Sequence, residues 1–212
     1  MVIYCIPGLG CTEKLFINTK IKNREVIVLQ WPIVEKNDTM ESYAKKFLPQ
    51  INQTQPFCLL GVSFGGMLCS ELSNIINPYK TFLVSSAKTS NEFPWFLKLL
   101  RALHIHNVIT DKCFRKLAYK GKWFIGFGND YEEEYLDMIN SMKQDYFKYC
   151  INMIVYWNRT SIHRNIIHIH GTADKILSHK NVKSTYQIEG GGHAMILFNV
   201  TAINQIIENE LT

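Results

Sequence analysis

The sequence predicts an α/β fold in which a mostly parallel sheet is flanked by helices, and three observations predict it. Short apolar runs rich in β-branched residues alternate with amphipathic segments, which is typical of a parallel sheet with helices on both faces. A Gly-x-Ser-x-Gly pattern at residues 61–65 joins one apolar run to a helical segment. The 212 residues, 47% of them hydrophobic, suffice for one buried core, so we expect a single domain over 1–212.

Six segments have the length and apolar content expected of strands. They are Val2–Ile6, Glu25–Gln30, Pro56–Leu60, Tyr79–Ser85, Asn165–His170 and Ser184–Glu189. An amphipathic helix is predicted from about Met40 to Asn52, with Asp38 and Glu41 as a capping box at its start. Further helices are expected after residue 66 and at the C-terminus, where one face carries Ile196, Val200, Ile203 and Ile207.

The Gly-x-Ser-x-Gly turn gives one serine an unusual position. Between a strand and a helix this turn is so sharp that side chains two residues before and after the serine would collide. Glycine at positions 61 and 65 removes that clash. Ser63 is then expected at the tip of the turn, and the amide of Phe64 points at the space where an oxyanion could bind. The strand–turn–helix context favours a nucleophilic serine over a plain glycine-rich turn.

A nucleophilic serine needs a base, and the base needs an orienting acid. Asp174 lies in a glycine-containing loop after the strand predicted at 165–170. His193 follows the strand at 184–189 and three glycines. Both side chains are therefore expected at the carboxyl ends of strands, where open α/β sheets bind ligands. We predict that Ser63, Asp174 and His193 form a catalytic triad, in the order that such serine enzymes use.

Two other groups of residues compete with this assignment. His168 and His170 lie two apart on one predicted strand and could suggest a metal pair. A metallohydrolase pattern of the His-x-His-x-Asp-His type would need aspartate where Thr172 stands. Glu189, four residues before the histidine of the triad, could be the acid instead. It lies in the strand that carries that histidine, and direct pairing across three glycines is awkward, so Asp174 is preferred.

Together these motifs resemble those of the α/β-hydrolase superfamily over nearly the whole chain. Residues 61–66 match the family's nucleophile elbow, 170–174 its acid loop and 192–193 its histidine loop. The turn Pro-Gly-Leu-Gly at 7–10 matches the family turn that supplies a second oxyanion amide, which maps to Leu9. Many members have His-Gly where this chain has Pro-Gly. Because the first strand already leads into this turn, the resemblance predicts a sheet trimmed of the two strands that usually precede it.

The resemblance implies a serine hydrolase that acts on a small-molecule acyl substrate. In this scheme His193 takes the proton of Ser63, the serine attacks the acyl carbonyl, and the amides of Leu9 and Phe64 bind the oxyanion. Water then hydrolyses the acyl-enzyme, and no metal or other cofactor is implied. A carboxylic ester hydrolase is the first expectation. A thioesterase, a C–C bond hydrolase or an acyltransferase would use the same residues, whereas a non-catalytic binding module is disfavoured because no triad member is missing.

Residues 87–164 interrupt the alternation, because they contain helical patterns and no convincing strand. They lie between the strands at 79–85 and 165–170, where the resembled family inserts a helical cap. Three helices are expected, over Pro94–His104, from Thr110 to Gly121, and from a cap at Asn129 or Asp130 toward Trp157. Aromatic side chains of such a cap either fill its core or line the substrate pocket.

Charge within this interval is uneven. The stretch 98–122 carries seven lysines and arginines against one aspartate, and five acids follow at 130–137. We favour helices that face water or neighbour each other over a surface that attracts anionic acyl groups or a membrane. The net charge of +5, without a nucleic-acid-binding motif, argues against DNA or RNA as a partner.

The expected cellular location rests on the search for signal peptides and membrane-spanning segments. No signal-like leader is apparent, and no apolar run approaches the roughly 20 residues of a membrane span, so a soluble, cytoplasmic protein is expected. The six cysteines are scattered, which indicates buried free thiols in a reducing compartment. The oligomeric state stays open at this point.

Overall fold

Six strands, all parallel to one another, form the sheet. The structure, a computed structural model, describes residues 1–104, 110–127 and 131–212. The strands are β1 (Val2–Ile6), β2 (Glu25–Val28), β3 (Phe57–Val62), β4 (Lys80–Val84), β5 (Ile166–Gly171) and β6 (Tyr186–Ile188). They lie in the order β2-β1-β3-β4-β5-β6. The predicted α/β fold class is confirmed, and within the described residues β1, which leads into the turn at 7–10, is the first strand of the sheet.

Nine α-helices lie within the described residues and flank or cover this sheet. They are α1 (Met40–Lys45), α2 (Phe64–Ile76), α3 (Trp95–Leu103), α4 (Asp111–Lys120), α5 (Lys122–Ile125), α6 (Glu132–Ser141), α7 (Tyr146–Tyr156), α8 (Met195–Phe198) and α9 (Val200–Glu210). Short 3-10 helices lie at Glu13–Phe16, Leu48–Gln50, Ser90–Glu92 and His179–Asn181. No helix of the described ranges combines the length and the apolar content that crossing a bilayer requires.

The core lies between the sheet and its helices. All six residues of β3 are buried, as expected for a central parallel strand covered on both faces. Helix α2 packs on β1, β3 and β4. Ile203 and Ile207 of α9 are also fully buried. The six cysteines, all within the described residues, are free thiols, and Cys113 on α4 is the exposed one.

The helix predicted from Met40 to Asn52 is shorter in the structure. Helix α1 ends at Lys45, and a separate 3-10 turn follows over Leu48–Gln50. Pro49 lies in that turn; it has no amide hydrogen to donate and disfavours the α conformation in the residue before it. Apolar residues keep a helical spacing past this proline in the sequence, but the backbone does not continue as an α-helix.

The capping box predicted from Asp38 and Glu41 was wrong. Thr39 precedes the helix, and its hydroxyl accepts a hydrogen bond from the amide of Ser42 at 3.1 Å, while Ser42 Oγ accepts one from the amide of Thr39 at 2.9 Å. Glu41 points outward and pairs with Lys45 at 2.6 Å. Asp38 and Glu41 fit a capping box by composition, but the chain enters the helix one residue later, so Thr39 and Ser42 form the box instead.

We call residues 87–164, between β4 and β5, the helical segment. Thr110 caps α4, and Gly121 ends it, as predicted. The capping role predicted for Asn129 or Asp130 lies outside the described residues. In the described parts of the segment, the regular elements are α3 to α7 and one 3-10 turn.

The long helix predicted toward Trp157 was wrong, because two helices, α6 and α7, replace it. The guanidinium of Arg115 on α4 donates hydrogen bonds to three carbonyls around the break at 142–145. These carbonyls belong to Ile139, Met142 and Lys143. Asp111 of α4 also caps the second helix, because its Oδ1 accepts a hydrogen bond from the amide of Phe147 at 2.9 Å. The break is thus stabilised by side chains some 30 residues away, which local periodicity does not reveal.

Candidate active site

Four strands end at one edge of the sheet, and each leads into a loop with a predicted functional group. β1 leads into the turn at 7–10, β3 into Ser63, β5 into the loop of Asp174 and β6 into the loop of His193. Because all the strands are parallel, these carboxyl ends lie on the same side of the sheet. The topology therefore brings together residues that are more than 100 positions apart in the chain.

Ser63 has a strained backbone conformation, with φ 52° and ψ −118°. Residues other than glycine rarely adopt positive φ, and such strain persists only where the surrounding structure enforces it. A Cβ atom at Gly61 would lie 2.5 Å from the carbonyl oxygen of Gly65, and one at Gly65 would lie 2.2 Å from the carbonyl oxygen of Ile6. Both glycines are required because backbone from neighbouring elements occupies the space of a side chain.

Four hydrogen bonds hold the strained serine in place. Its amide donates to the carbonyl of Val84 on β4 at 3.0 Å. Its own carbonyl accepts from the amides of Gly66 and Met67, at 2.9 and 3.2 Å, and from Ser86 Oγ at 2.6 Å. The hydroxyl of Ser63 is therefore presented by a backbone that is fixed on both sides.

The side chains of Ser63, His193 and Asp174 form one hydrogen-bonded chain. His193 Nε2 lies 2.9 Å from Ser63 Oγ, and His193 Nδ1 lies 2.8 Å from Asp174 Oδ2. An ionised carboxylate only accepts, so Nδ1 carries the proton of the neutral ring and Nε2 is free to accept from the serine hydroxyl. This arrangement has the geometry of a serine nucleophile, a general base and an orienting acid.

Asp174 is held as a buried carboxylate. Its Oδ1 accepts hydrogen bonds from the amides of Ile176 and Leu177 at 2.8 and 2.9 Å. Burial by itself would raise the pKa of this carboxyl group. The charge of His193 and hydrogen bonds from His193 and the Leu177 amide outweigh burial, so the pKa of Asp174 is lowered from its usual range.

The acid loop and the histidine loop are tied to each other through their backbones. A Cβ atom at Gly171 would lie 2.1 Å from the carbonyl oxygen of Gly191. The same carbonyl accepts a hydrogen bond from the amide of Ala173 at 3.0 Å, and Thr172 Oγ1 accepts one from the amide of Gly190 at 2.9 Å. The separation of the acid from the imidazole is therefore set by main-chain contacts.

The two predicted oxyanion amides belong to the elbow and to the β1 turn that packs against it. Phe64 is the first residue of α2, and the turn that contains Leu9 packs against the elbow, since a Cβ atom at Gly8 would lie 3.6 Å from Ser63 Cβ. The first amides of a helix have no partner within the helix. Among the hydrogen bonds of the described residues, none is donated by the amide of Leu9 or Phe64. Both amides are thus available to a ligand.

An apolar cavity of about 160 Å³ opens beside the serine. The elbow, the β1 turn with the 3-10 helix after it, the acid loop and the histidine loop form its base, with Leu9, Leu15, Ser63, Ile176 and His193. The helical segment forms the other wall, with Ala118, Ile125, Phe127 and Tyr135. Phe127 and Tyr135 stack with ring centroids 4.3 Å apart.

The competing groups of residues have other positions. Glu189 is exposed, whereas Asp174 contacts the histidine of the site, which agrees with the preference for Asp174. His168 and His170 contact each other through ring nitrogens 3.1 Å apart. Within the described ranges, no group of three or more His, Cys, Asp and Glu side chains has the arrangement of a metal site.

The seven cations of the basic stretch at 98–122 do not line the cavity, since none of them is among the described residues around that space. Arg115 is engaged by Asp111 and the carbonyls at the helix break, and Lys122 pairs with Glu132 of the acidic run. The five other cations, Lys98, Arg101, Lys112, Lys116 and Lys120, are exposed on α3 and α4. This agrees with the interpretation of solvated and neighbouring helices.

Sequence reasoning missed several residues around the site. Lys88 and Glu92, just after β4, form a buried ion pair at 2.9 Å. Their spacing of four residues was the one available signal, and such spacing is common on exposed helices. Phe127 and Tyr135 could not be separated by pattern from the exposed aromatic residues of the helical segment.

Comparison with known proteins gives structural relatives only. No protein-family model and no curated protein matches the sequence. An esterase from Thermogutta terrifontis matches with a TM-score of 0.76 and 14% identity, over 100% of this chain and 89% of that one. The RedJ thioesterase from the prodiginine pathway of Streptomyces coelicolor (0.70, 15%; 99% and 85%) and MenH from S. aureus (0.71, 14%; 100% and 93%) also match. These likenesses cover the whole sheet and the helical segment, and the chain therefore has the α/β-hydrolase fold.

Proposed function

We propose that this protein is a serine hydrolase that cleaves a carboxylic ester or a thioester through an acyl-enzyme on Ser63. The observation that carries the proposal is the hydrogen-bonded chain from Ser63 Oγ through His193 to Asp174, with contacts of 2.9 and 2.8 Å. Solved structures of the same fold that are described as an esterase and a thioesterase support this class of reaction.

The proposed reaction has two halves. In the first, His193 Nε2 takes the hydroxyl proton as Ser63 Oγ bonds to the acyl carbon; the imidazolium then protonates the leaving alcohol or thiol as its bond to that carbon breaks. In the second half, His193 takes a proton from water, which attacks the acyl-enzyme, and returns that proton to Ser63 Oγ as the acid leaves. Asp174 stays ionised throughout and stabilises the imidazolium.

Charge on the tetrahedral intermediates would be stabilised by backbone amides. The amides of Leu9 and Phe64 are the proposed donors, because neither is engaged elsewhere in the described structure and the glycine turn brings their loops against the elbow. Preorganised donors of this kind contribute on the order of 10²–10³ each to the rate in comparable enzymes.

The cavity suggests the class of acyl group. Its lining at Leu9, Leu15, Ile125 and Phe127 is apolar, so a neutral hydrocarbon chain fits better than a charged one. A cavity of about 150 Å³ in another protein accommodates benzene, so a volume of about 160 Å³ fits an acyl chain of roughly six carbons. We propose that the helical segment, residues 87–164 of a single 1–212 domain, serves as the cap that supplies half of this wall.

Fluorophosphonate labelling tests the proposed nucleophile. We expect a single adduct, on Ser63, and none in the Ser63→Ala variant. Ser70→Ala is the matched control, because Ser70 lies on α2, which directly follows Ser63, is fully buried and has no hydrogen-bond partner for its hydroxyl. An adduct on another serine, or none in folded protein, would contradict the proposal. Turnover of p-nitrophenyl esters and acyl thioesters of two to twelve carbons then defines the leaving group, and added alcohols reveal any acyltransfer.

A further inference from the structure

Behind the triad lies a second chain of polar side chains, for which the proposed mechanism has no use. Lys88, Glu92, His168 and His170 are 6%, 8%, 0% and 0% exposed, and they connect the end of β4 to the loop of Asp174. Burying two imidazoles and an ion pair is costly unless every polar atom is satisfied. Their placement directly behind the catalytic acid therefore requires a physical account.

The contacts form one continuous path. Lys88 Nζ lies 3.5 Å from His168 Nδ1, and His168 Nε2 lies 3.1 Å from His170 Nδ1. His170 Nε2 lies 2.7 Å from the carbonyl oxygen of Leu177 and 3.5 Å from Asp174 Oδ2. At the other end, Lys88 Nζ also donates to the carbonyl of Lys183.

The two ends of this path determine where its protons lie. The Leu177 carbonyl only accepts, so His170 must carry a proton on Nε2, and its Nδ1 is then an acceptor when the ring is neutral. His168 must consequently carry its proton on Nε2, which leaves its Nδ1 to accept from the ammonium of Lys88. Every donor in the path therefore points from Lys88 toward the acid loop.

The neutral state of both rings has a clear cause. Burial lowers the pKa of His168 well below its usual value, and positive charge on His170 or Lys88 lowers it further, whereas the Ser86 backbone, which would accept from a protonated ring, opposes this shift. Burial also lowers the pKa of His170, despite the Leu177 carbonyl and the charge of Asp174. Because both rings are neutral, each can accept one hydrogen bond and donate the next toward the acid loop, and neither places a second positive charge beside Asp174.

We propose that Lys88, His168 and His170 are positioning residues, which lock the acid loop through the hydrogen bond from His170 Nε2 to the Leu177 carbonyl, so that the Asp174 carboxylate keeps its orientation toward His193. The kinetic part of this proposal rests on the proposed hydrolase function, whereas the proton positions do not. The alternative is that the two rings, which meet edge to face with centroids 5.1 Å apart, only fill space in the core.

The first experiment measures the tautomers directly. Ring ¹⁵N shifts of histidine-labelled protein, assigned with His168→Gln and His170→Gln variants, should show both rings neutral and protonated on Nε2 at pH 7. A proton on Nδ1 of His168, as the Ser86 carbonyl would favour, or a charged ring at either position, would overturn the path. This measurement needs no substrate, so it stands even if the protein proves to be no hydrolase.

The second experiment separates hydrogen bonding from packing. Glutamine offers one donor and one acceptor, and leucine of similar size offers neither. We expect His168→Leu to lower kcat about 10–100-fold, by comparison with residues that orient metal ligands. KM should stay within about twofold, and His168→Gln should recover most of the loss. Equal kcat in the two variants, whether both normal or both low, would assign the rings to packing and overturn the proposal.

The ion pair offers a matched control. Lys88→Met combined with Glu92→Gln removes both charges of the buried pair together and should lower kcat with KM little changed. Lys80 and Glu210 form a partly buried pair at the opposite end of β4, at 2.5 Å. The same double change there should leave kcat within about twofold. Equal kcat for the two double variants would overturn the role of Lys88, and thermal unfolding of both shows whether stability accounts for any difference.

Discussion

The sheet edge and the helical segment above it contribute to the same site in different ways. At the edge, functional groups are fixed by main-chain contacts so close that Gly61, Gly65 and Gly171 have no room for a Cβ atom. In the helical segment the inner side lines the cavity, while Trp95 and Trp123 on the outside are 74% and 60% exposed.

The two regions are joined at several points, and the ring of Phe147 lies so close to the β1 turn that a Cβ atom at Gly10 would be 2.8 Å from it. One link is the hydrogen bond from the amide of Ala194, next to the histidine, to the carbonyl of Ile125 at 2.9 Å. The difference teaches that the proposed chemistry would belong to an edge held by main-chain contacts, whereas the wall proposed to select the acyl group is formed by side chains that can be exchanged one at a time. Substitutions of the triad residues or of the tightly packed glycines at the edge should therefore lower activity or stability, and those in the helical segment should tune preference.

The largest effects are expected at the triad. Ser63→Ala and His193→Ala should each lower kcat about 10⁶-fold without adding when combined, because both remove the same nucleophilic step. Asp174→Asn should cost about 10⁴-fold, since it favours the wrong imidazole tautomer. Steady-state kinetics on a p-nitrophenyl ester measures all four. The exposed Glu189→Gln is the control, and a larger loss there than at Asp174 would mean that the acid is misassigned.

The second-largest effect is expected on the free energy of unfolding, at glycines whose backbone contacts leave no room for a side chain. Gly65→Ala places a methyl group 2.2 Å from the Ile6 carbonyl, so the backbone must shift, and we expect a loss of about 1–3 kcal/mol in the free energy of unfolding. Gly192→Ala meets no atom within 4 Å and should change stability by less than about 0.5 kcal/mol. Urea denaturation compares the two variants, and equal losses would show that the edge is less rigid than the contacts indicate.

A smaller effect is expected on the wall of the cavity. Ile125→Ala enlarges the acyl cavity, so the ratio of kcat/KM for an eight-carbon over a six-carbon ester should rise about tenfold, as expected for one or two methylenes. Phe124→Ala, at the exposed neighbour, removes a larger side chain from the outside of the same helix. That variant should leave the ratio unchanged. If it shifts chain preference as strongly as Ile125→Ala, the acyl group binds elsewhere.

The smallest effect is expected from surface charge. Lys112→Glu with Lys116→Glu reverses two exposed cations of α4 that do not line the cavity. We expect kcat/KM for neutral and for anionic esters to change by less than about twofold, because exposed charges are screened over about 8 Å at 0.15 M salt. A selective loss for the anionic ester that shrinks as salt rises would instead show that the basic stretch steers substrate.

The sequence alone was sufficient to predict those features whose physical cause lies within one short stretch of the chain. The glycines around Ser63 are needed because of the sharpness of that turn, and Thr110 and Gly121 cap one helix through contacts within a few residues. The alternation of apolar runs predicted the parallel sheet, and the sheet in turn predicted which loops meet. Those inferences needed no knowledge of distant contacts.

Distant contacts decided the rest. The break between α6 and α7 depends on Arg115, and the path behind Asp174 depends on Lys88 of β4's loop meeting His168 of β5. Which aromatic residues line the cavity also depends on how the helices pack above the edge. The sequence by itself thus specifies the sheet, the elbow and the candidate triad, through short-range steric constraints and the periodicity of apolar residues. The cavity and the buried support of the acid arise only when residues some 80 positions apart are packed together, because burial and hydrogen-bond partners are properties of the assembled core.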